Sequence, residues 1–200
     1  MDMTAFTRRS LIAAFAAWPV VGLAQTALIP YVLSPKGTSV GFTFDLSGVA
    51  QSGTMPIQSA LIHLDTKRLQ NSVVDVVLNV ADARTKLPFA RAPMLGESVL
   101  NAGNHPTIRF RSTKIQLGPN GRISEGAKIT GDLTVRGVTM PVTLDAALYR
   151  RPGSAPDDLD NLSIRLRGAL DRHRYGASGY PDLVDDIVGL DIRAQIIRDK

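Results

Sequence analysis

The sequence predicts an all-β protein, an extended antiparallel β-barrel of about eight strands with one or two short helices at one end. Apolar residues occupy every second position in several short segments, which is typical of strands with one buried face. Beyond the first 24 residues there is no long uninterrupted apolar run of the kind that marks a parallel sheet. The 200 residues are enough for one domain with a substantial core.

The first 24 residues are predicted to be a signal peptide. Arg8 and Arg9 precede an apolar run from Leu11 to Leu23, which is too short to span a bilayer as a helix and ends in small residues before a cleavage point near Ala24. The paired arginines resemble a twin-arginine (Tat) export signal. Sec export and an uncleaved membrane anchor remain alternatives. We therefore expect the periplasm as the location and residues 25–200 as the mature domain.

The mature chain is predicted to begin with two strands, 31–33 and 40–44, around a turn at 34–37. Ser47-Gly48 and Ser52-Gly53 are expected to break the chain further. Five later segments each place their apolar residues on one face: 60–65, 73–80, 108–112, 162–171 and 188–196. The helical candidate is 88–100, where Pro93 and Gly96 limit any helix to short pieces.

The clearest pair of strands covers residues 129–136 and 138–145. Two alternating runs that meet at Arg136-Gly137 predict a β-hairpin, with Gly137 free to adopt positive φ. Pro141 has no N–H to donate to a sheet, so we expect it at an edge or beside the turn. Aromatic residues are few, and arginine is frequent on the polar faces. Both features favour an inward apolar face over a membrane barrel, whose apolar face turns to lipid.

Composition and motifs exclude several functions. The net charge of +5 is scattered and aromatics are 6% of residues, so we expect no nucleic-acid partner. The chain has no cysteine, and His63, His105 and His173 lack metal-ligand spacing. No nucleophile motif or phosphate-binding loop is present. The sequence therefore predicts no catalytic residue, no metal site and no resident cofactor.

The hairpin carries a specific motif. Residues 131–142 read GDLTVRGVTMPV and closely resemble G-x-L-T-(I/V)-R-G-V-T-x-P-V, the signature of the YceI-like family. The late segment RHRYG at 172–176 resembles the family pattern R-x-x-(F/Y)-G. Further segments match in the same order, at Tyr31, 40–44, 104–112 and 186–188. Two departures are expected near the cavity mouth, Met55 in place of the usual Phe and Leu100-Asn101-Ala102 in place of Phe-Phe-Asp.

The resemblance implies a periplasmic, lipocalin-like barrel that binds or carries an amphiphilic isoprenoid-type lipid, such as a polyprenyl chain or a quinone-like ligand. An eight-stranded barrel has room for one such ligand, and each buried CH₂ contributes about 0.8 kcal/mol. Transient membrane contact and a homodimer are compatible with this role. The candidate cavity-lining residues are Phe42, Phe44, Val76, Leu78, Phe110, Leu133, Val135, Val142 and Leu144.

Two alternatives remain open at the level of sequence. One is a periplasmic enzyme that uses the cluster from Arg172 to Tyr175. The other is a structural barrel with a solid core that acts through its surface. For the cluster itself we expect a structural corner, because an arginine can donate hydrogen bonds to several carbonyls at a strand end.

Overall fold

The computed structural model describes residues 28–119, 125–155 and 158–199. The predicted signal peptide, 1–24, lies outside the described residues. The one α-helix of the described part, α1, spans Pro88–Leu95. The strands of this part are β1 Ile29–Leu33, β2 Ser39–Leu46, β3 Val49–Met55, β4 Ile57–Leu64, β5 Val73–Asn79, β6 Arg84–Thr85, β7 Thr107–Leu117, β8 Ala127–Val135, β9 Val138–Arg150, β10 Asn161–Asp171 and β11 Ile187–Arg198.

Eight strands of the described chain close into an antiparallel barrel. Their order is β1-β4-β5-β7-β8-β9-β10-β11, and β11 pairs with β1 to complete the ring. The remaining strands lengthen the wall at one end. There, β2 pairs with β11 and β3, and β6 pairs with β3. The predicted fold, an extended antiparallel barrel with a short helix at one end, is confirmed.

The first two strands do not form a hairpin with each other. Both lie along β11, with Leu33 opposite Ile196 and Ser39 opposite Arg193. The predicted turn, 34–37, therefore joins two strands that run in the same direction along β11 and does not reverse the chain. It is held at Gln195, whose backbone carbonyl accepts a 2.8 Å hydrogen bond from the N–H of Ser34.

The predicted break at Ser52-Gly53 is wrong, because both residues lie inside β3. A glycine is required at position 53 by close packing and not by a turn. A Cβ on Gly53 would overlap the ring of Phe42 on the neighbouring strand and approach the carbonyl oxygen of Arg84 to 2.5 Å. The other predicted break is confirmed, since Ser47 and Gly48 both have positive φ at the β2–β3 turn.

The predicted hairpin is β8–β9. Arg136 and Gly137 both have positive φ, 51° and 77°, as the tight hairpin turns that match strand twist require. Pro141 faces Asp132 on β8, while β10 pairs with β9 only from Asp145 onward. The missing N–H of Pro141 therefore costs no sheet hydrogen bond.

The two ends of the barrel differ. The helical end carries α1, the β8–β9 turn and the connection between β10 and β11, residues 172–186. The helix begins at Pro88, contains Pro93 and ends at Leu95 with Gly96 as its C-cap, so the predicted segment 88–100 holds one short helix. The opposite end is filled by a buried apolar cluster of Tyr31, Ile62, Leu64, Leu162 and Ile196. Within the described residues, no helix has the length and apolar character needed to cross a membrane.

Candidate functional site

The apolar faces of the strands enclose a cavity of about 470 Å³ whose lining is almost entirely apolar. The lining extends from Leu46 and Val188 near the helical end to Leu117 and Ala127 toward the opposite end. The cavity thus follows the barrel axis. Its volume lies within the range of about 300–1,000 Å³ that is usual for small-molecule sites.

Accessible surface on inward-facing residues shows that part of the barrel is hollow. Val74, Val76 and Leu78 on β5 line the cavity, yet each keeps an intermediate accessible surface. At the opposite end, the equally inward Leu162 and Ile196 are 2% and 0% exposed. Close-packed interiors leave few voids larger than a water molecule. The solid-core alternative therefore does not describe the middle of this barrel.

All nine residues predicted from the sequence line this one cavity. They divide into two groups by exposure. Those on β8 and β9 are buried, namely Leu133, Val135, Val142 and Leu144. Those on β2, β5 and β7 keep accessible surface, namely Phe42, Phe44, Val76, Leu78 and Phe110. Contact of these residues with a ligand stays a prediction.

Sequence reasoning missed most of the lining residues, and two of the missed sets are informative. The first lies on β10 and β11, where the alternation was evident and the apolar face had been identified, and includes Ile164, Leu166, Leu170, Leu190 and Ile192. The second lies on α1 and the loops of the helical end, where no period-2 signal exists, and includes Phe89, Met94, Val99, Tyr180 and Leu183. Met55 and Leu100, two positions where the chain departs from the family signature, also line the cavity.

The cavity reaches the surface at the helical end. Three large residues there both line the cavity and remain exposed: Phe89 on α1 is 72% exposed, Tyr180 is 45% exposed and Leu183 is 50% exposed. We call these three residues the rim. Tyr180 and Leu183 belong to the β10–β11 connection, which is joined to the end of β2 by a bridge between Leu46 and Val184.

A buried arginine holds the β10–β11 connection in place. Arg172 is 5% exposed, and its Nε donates to the carbonyl of Asp185 at 2.9 Å. Its Nη1 donates to the carbonyls of Ala177 at 2.6 Å and Gly179 at 2.7 Å, and its Nη2 donates to that of Val184 at 2.8 Å. The expected carbonyl-binding corner is confirmed.

Two further arginines hold α1 and the loop that follows it, also at the helical end. Arg136, in the signature hairpin, donates from Nη1 to the carbonyls of Glu97 and Val99, both at 2.6 Å. Arg91 on α1 donates to the carbonyls of Ala83 and Ala81 at 3.0 and 2.6 Å. The helix and the following loop are thus tied to the barrel by arginine–carbonyl hydrogen bonds.

The polar side chains of the 172–176 cluster occupy different environments. His173 is on the surface, with Nε2 3.1 Å from Oδ1 of Asp186. Tyr175 is 4% exposed and lines the cavity, and burial raises the pKa of its hydroxyl against the opposing charge of Arg174. In the ranges that the structure describes, no three His, Cys, Asp or Glu side chains converge as a metal site.

A closed antiparallel wall around an elongated apolar cavity places the protein among the lipocalin-like β-barrels. Comparison with protein families is more specific. The model of the YceI-like domain matches residues 31–196, and the chain belongs to the YceI-like family, as its hairpin signature indicated.

Several curated relatives carry the name UPF0312 protein. One from Vibrio parahaemolyticus is 29% identical over 119 residues, which are 58% of this chain and 61% of the relative. The chain thus spans about 61% of the length of that relative. One from Ectopseudomonas mendocina is 30% identical over 135 residues, 66% of this chain and 68% of the relative. One from Pseudomonas syringae is 23% identical over 199 residues, 96% of this chain and 99% of the relative.

Solved structures share the fold at low sequence identity. Burkholderia cenocepacia BcnA has a TM-score of 0.71 at 15% identity, covering 82% of this chain and 99% of its own. A Campylobacter jejuni YceI protein has a TM-score of 0.58 at 18% identity, covering 99% of both chains. A domain from Saccharophagus degradans, described as polyisoprenoid-binding and implicated in plant cell wall breakdown, has a TM-score of 0.58 at 9% identity, covering 86% and 99%.

Proposed function

We propose that this protein is an exported, non-enzymatic carrier that holds one amphiphilic isoprenoid-type lipid inside the barrel. The observation that carries the proposal is the cavity of about 470 Å³, which is apolar along its length and opens at the helical end. An apolar chain buried there gains about 0.8 kcal/mol per CH₂. Affinity therefore requires length and apolar surface more than polar contacts.

The shape of the site favours an elongated ligand over a compact one. Lining residues occur on the strands from the helical end to the far side of the barrel, with Leu117 and Ala127 among the most distant. A polyprenyl chain or the tail of a quinone-like molecule has this form. Membership in the YceI-like family and the description of the Saccharophagus domain as polyisoprenoid-binding support the same class.

The geometry of the polar cluster supports carriage in preference to catalysis. The guanidinium of Arg172 is engaged by four backbone carbonyls, which is a structural role. His173 is turned to solvent beside Asp186 and is not among the residues that line the cavity. We therefore assign Arg172 and His173 to the architecture of the mouth.

The rim supports transient contact with a membrane. Phe89, Tyr180 and Leu183 present apolar or amphipathic side chains to solvent at the point where the cavity opens. Aromatic side chains with a polar tip favour the membrane–water interface. A lipid that leaves a bilayer through this mouth would exchange one apolar environment for another with little exposure to water.

We place the carrier in the periplasm on the strength of its amino terminus, where Arg8 and Arg9 precede a short apolar run. Amino-terminal sequencing of the protein from a periplasmic extract is expected to find cleavage near Ala24. A mature chain that still begins at Met1 or Met3 would contradict export with cleavage.

The carrier proposal is tested by extracting lipid from protein purified out of its native compartment. Mass spectrometry of the extract should reveal about one isoprenoid-type molecule per barrel, and protein unfolded before purification should carry none. A barrel that is folded, free of lipid and unable to take up isoprenoids from vesicles would contradict the proposal.

A further inference from the structure

We propose that the hydroxyl of Tyr175 is the polar contact for the head group of the bound lipid, and that it selects an oxygen-bearing amphiphile over a plain hydrocarbon. The inference rests on the proposed function, because it assigns a contact within the same cavity. It assigns one specific polar contact to a cavity whose lining is otherwise apolar.

The position of Tyr175 is suitable for a head group. The residue ends a short 3₁₀ turn, His173–Tyr175, and Gly176 follows with a positive φ of 74°. This turn brings the side chain inward at the helical end, where it joins the buried cluster that contains Val135 and Leu144. A lipid whose tail fills the barrel would leave its head at this end, close to the mouth.

The side chain of Tyr175 is largely buried, and its hydroxyl has no hydrogen-bond partner in the described part of the chain. The other buried tyrosine, Tyr31, donates its hydroxyl to the carbonyl of Leu159 at 2.8 Å. No described residue offers such an acceptor to Tyr175, although its side chain is 4% exposed. A hydroxyl on a largely buried side chain gains from a hydrogen bond that replaces lost water, and an oxygen on the bound lipid would supply that bond.

The surroundings favour an acceptor oxygen on the ligand. Burial raises the pKa of the Tyr175 hydroxyl, so the group is a protonated donor at neutral pH. A tyrosine hydroxyl donates one hydrogen bond, and an alcohol or carbonyl oxygen on the ligand can accept it.

The experiment compares two lipids with the same branched skeleton, the alcohol phytanol and the hydrocarbon phytane. Each is delivered from cyclodextrin and competes with a fluorescent lipid already bound to the full mature chain. The variant is Tyr175→Phe, which removes only the hydroxyl. The matched control is Tyr149→Phe, which removes a hydroxyl from a tyrosine that is 55% exposed and does not line the cavity.

We expect Tyr175→Phe to weaken phytanol binding by about fivefold to tenfold, as the loss of one hydrogen bond predicts, and to leave phytane within about twofold. Tyr149→Phe should change neither. The melting temperature of Tyr175→Phe should equal or exceed that of the wild type, because the lost hydroxyl has no partner in the ligand-free protein.

Four outcomes would overturn the assignment. An equal effect on both lipids, or no effect on phytanol, would show that the hydroxyl does not contact the head group. A melting temperature lowered by several degrees would show that the hydroxyl has a structural role instead. Failure of the wild-type protein to bind either lipid would instead refute the carrier proposal itself, and the assignment with it.

Discussion

Replacement of Val76 with phenylalanine tests whether the barrel is hollow where we place the lipid. Val76 lies in the middle of β5, lines the cavity and keeps accessible surface although it faces inward. Its neighbour across the β5–β7 pair is Phe110, which also lines the cavity. A phenyl ring at this position can extend into empty space without displacing another side chain.

The expected cost falls on binding and not on folding. The larger ring would occupy the room of about three methylene groups of the lipid, and at about 0.8 kcal/mol each the loss is about 2.4 kcal/mol. That energy corresponds to roughly 50-fold weaker binding. Because the ring enters a void, the free energy of unfolding of the ligand-free protein should change by less than about 1 kcal/mol.

The matched control is Val135→Phe on β8. Val135 also lines the cavity but is only 7% exposed and belongs to the buried cluster of the helical end. The same enlargement there should destabilise the ligand-free protein by about 1–3 kcal/mol through overpacking. Urea unfolding and competitive lipid binding are measured for both variants. Equal destabilisation by the two substitutions, with no selective loss of binding in Val76→Phe, would refute the hollow-barrel reasoning.

Three further predictions concern stability. Arg172→Ala removes four hydrogen bonds to the β10–β11 connection; it should cost about 3 kcal/mol or more in urea unfolding, with unchanged lipid content per folded molecule. Gly131→Ala places a Cβ 2.5 Å from the backbone carbonyl oxygen of Arg111 and from the ring of Phe110 and should cost about 1–3 kcal/mol, whereas a neutral result would show that both the backbone and the ring yield easily. The hydrogen bond from Arg109 lowers the pKa of Asp75, so the ion pair stabilises the fold above the ordinary pKa of 3.8 and loses its effect as the pH falls further. Asp75→Asn should therefore be less stable than the wild type at neutral pH and equal to it in strong acid, as thermal unfolding across pH will check.

Local patterns were sufficient to predict most of the wall. Alternation identified the inward faces of β5, β7, β8, β9, β10 and β11, because a strand with one buried face repeats every two residues. The β8–β9 turn was recognised from Arg136-Gly137, since few residues adopt the positive φ that the turn requires. The same local logic placed Pro141 where β9 lacks a second neighbour.

Features that depend on contacts between distant residues were not predictable. Gly53 was mistaken for a break because the Phe42 ring that requires a glycine there lies on another strand. Val76 and Val135 both occupy the apolar face of a strand in the sequence. In the structure, Val76 keeps accessible surface inside the cavity, whereas Val135 is buried in a packed cluster. The rim residue Phe89 lies on a short helix, where alternation gives no signal.

Photoaffinity labelling tests most directly whether a lipid occupies the inside of the barrel. The probe is a geranylgeraniol analogue that carries a diazirine on its isoprenoid chain, and labelled residues are identified by peptide mass spectrometry. We expect labels on inward residues such as Val76, Phe110 and Leu190, all of which line the cavity. Their outward neighbours Val77 and Arg109 should remain unlabelled, because successive side chains of a strand point to opposite faces. Labels confined to outward residues, or no more abundant than on heat-denatured protein, would contradict a lipid carried inside the barrel.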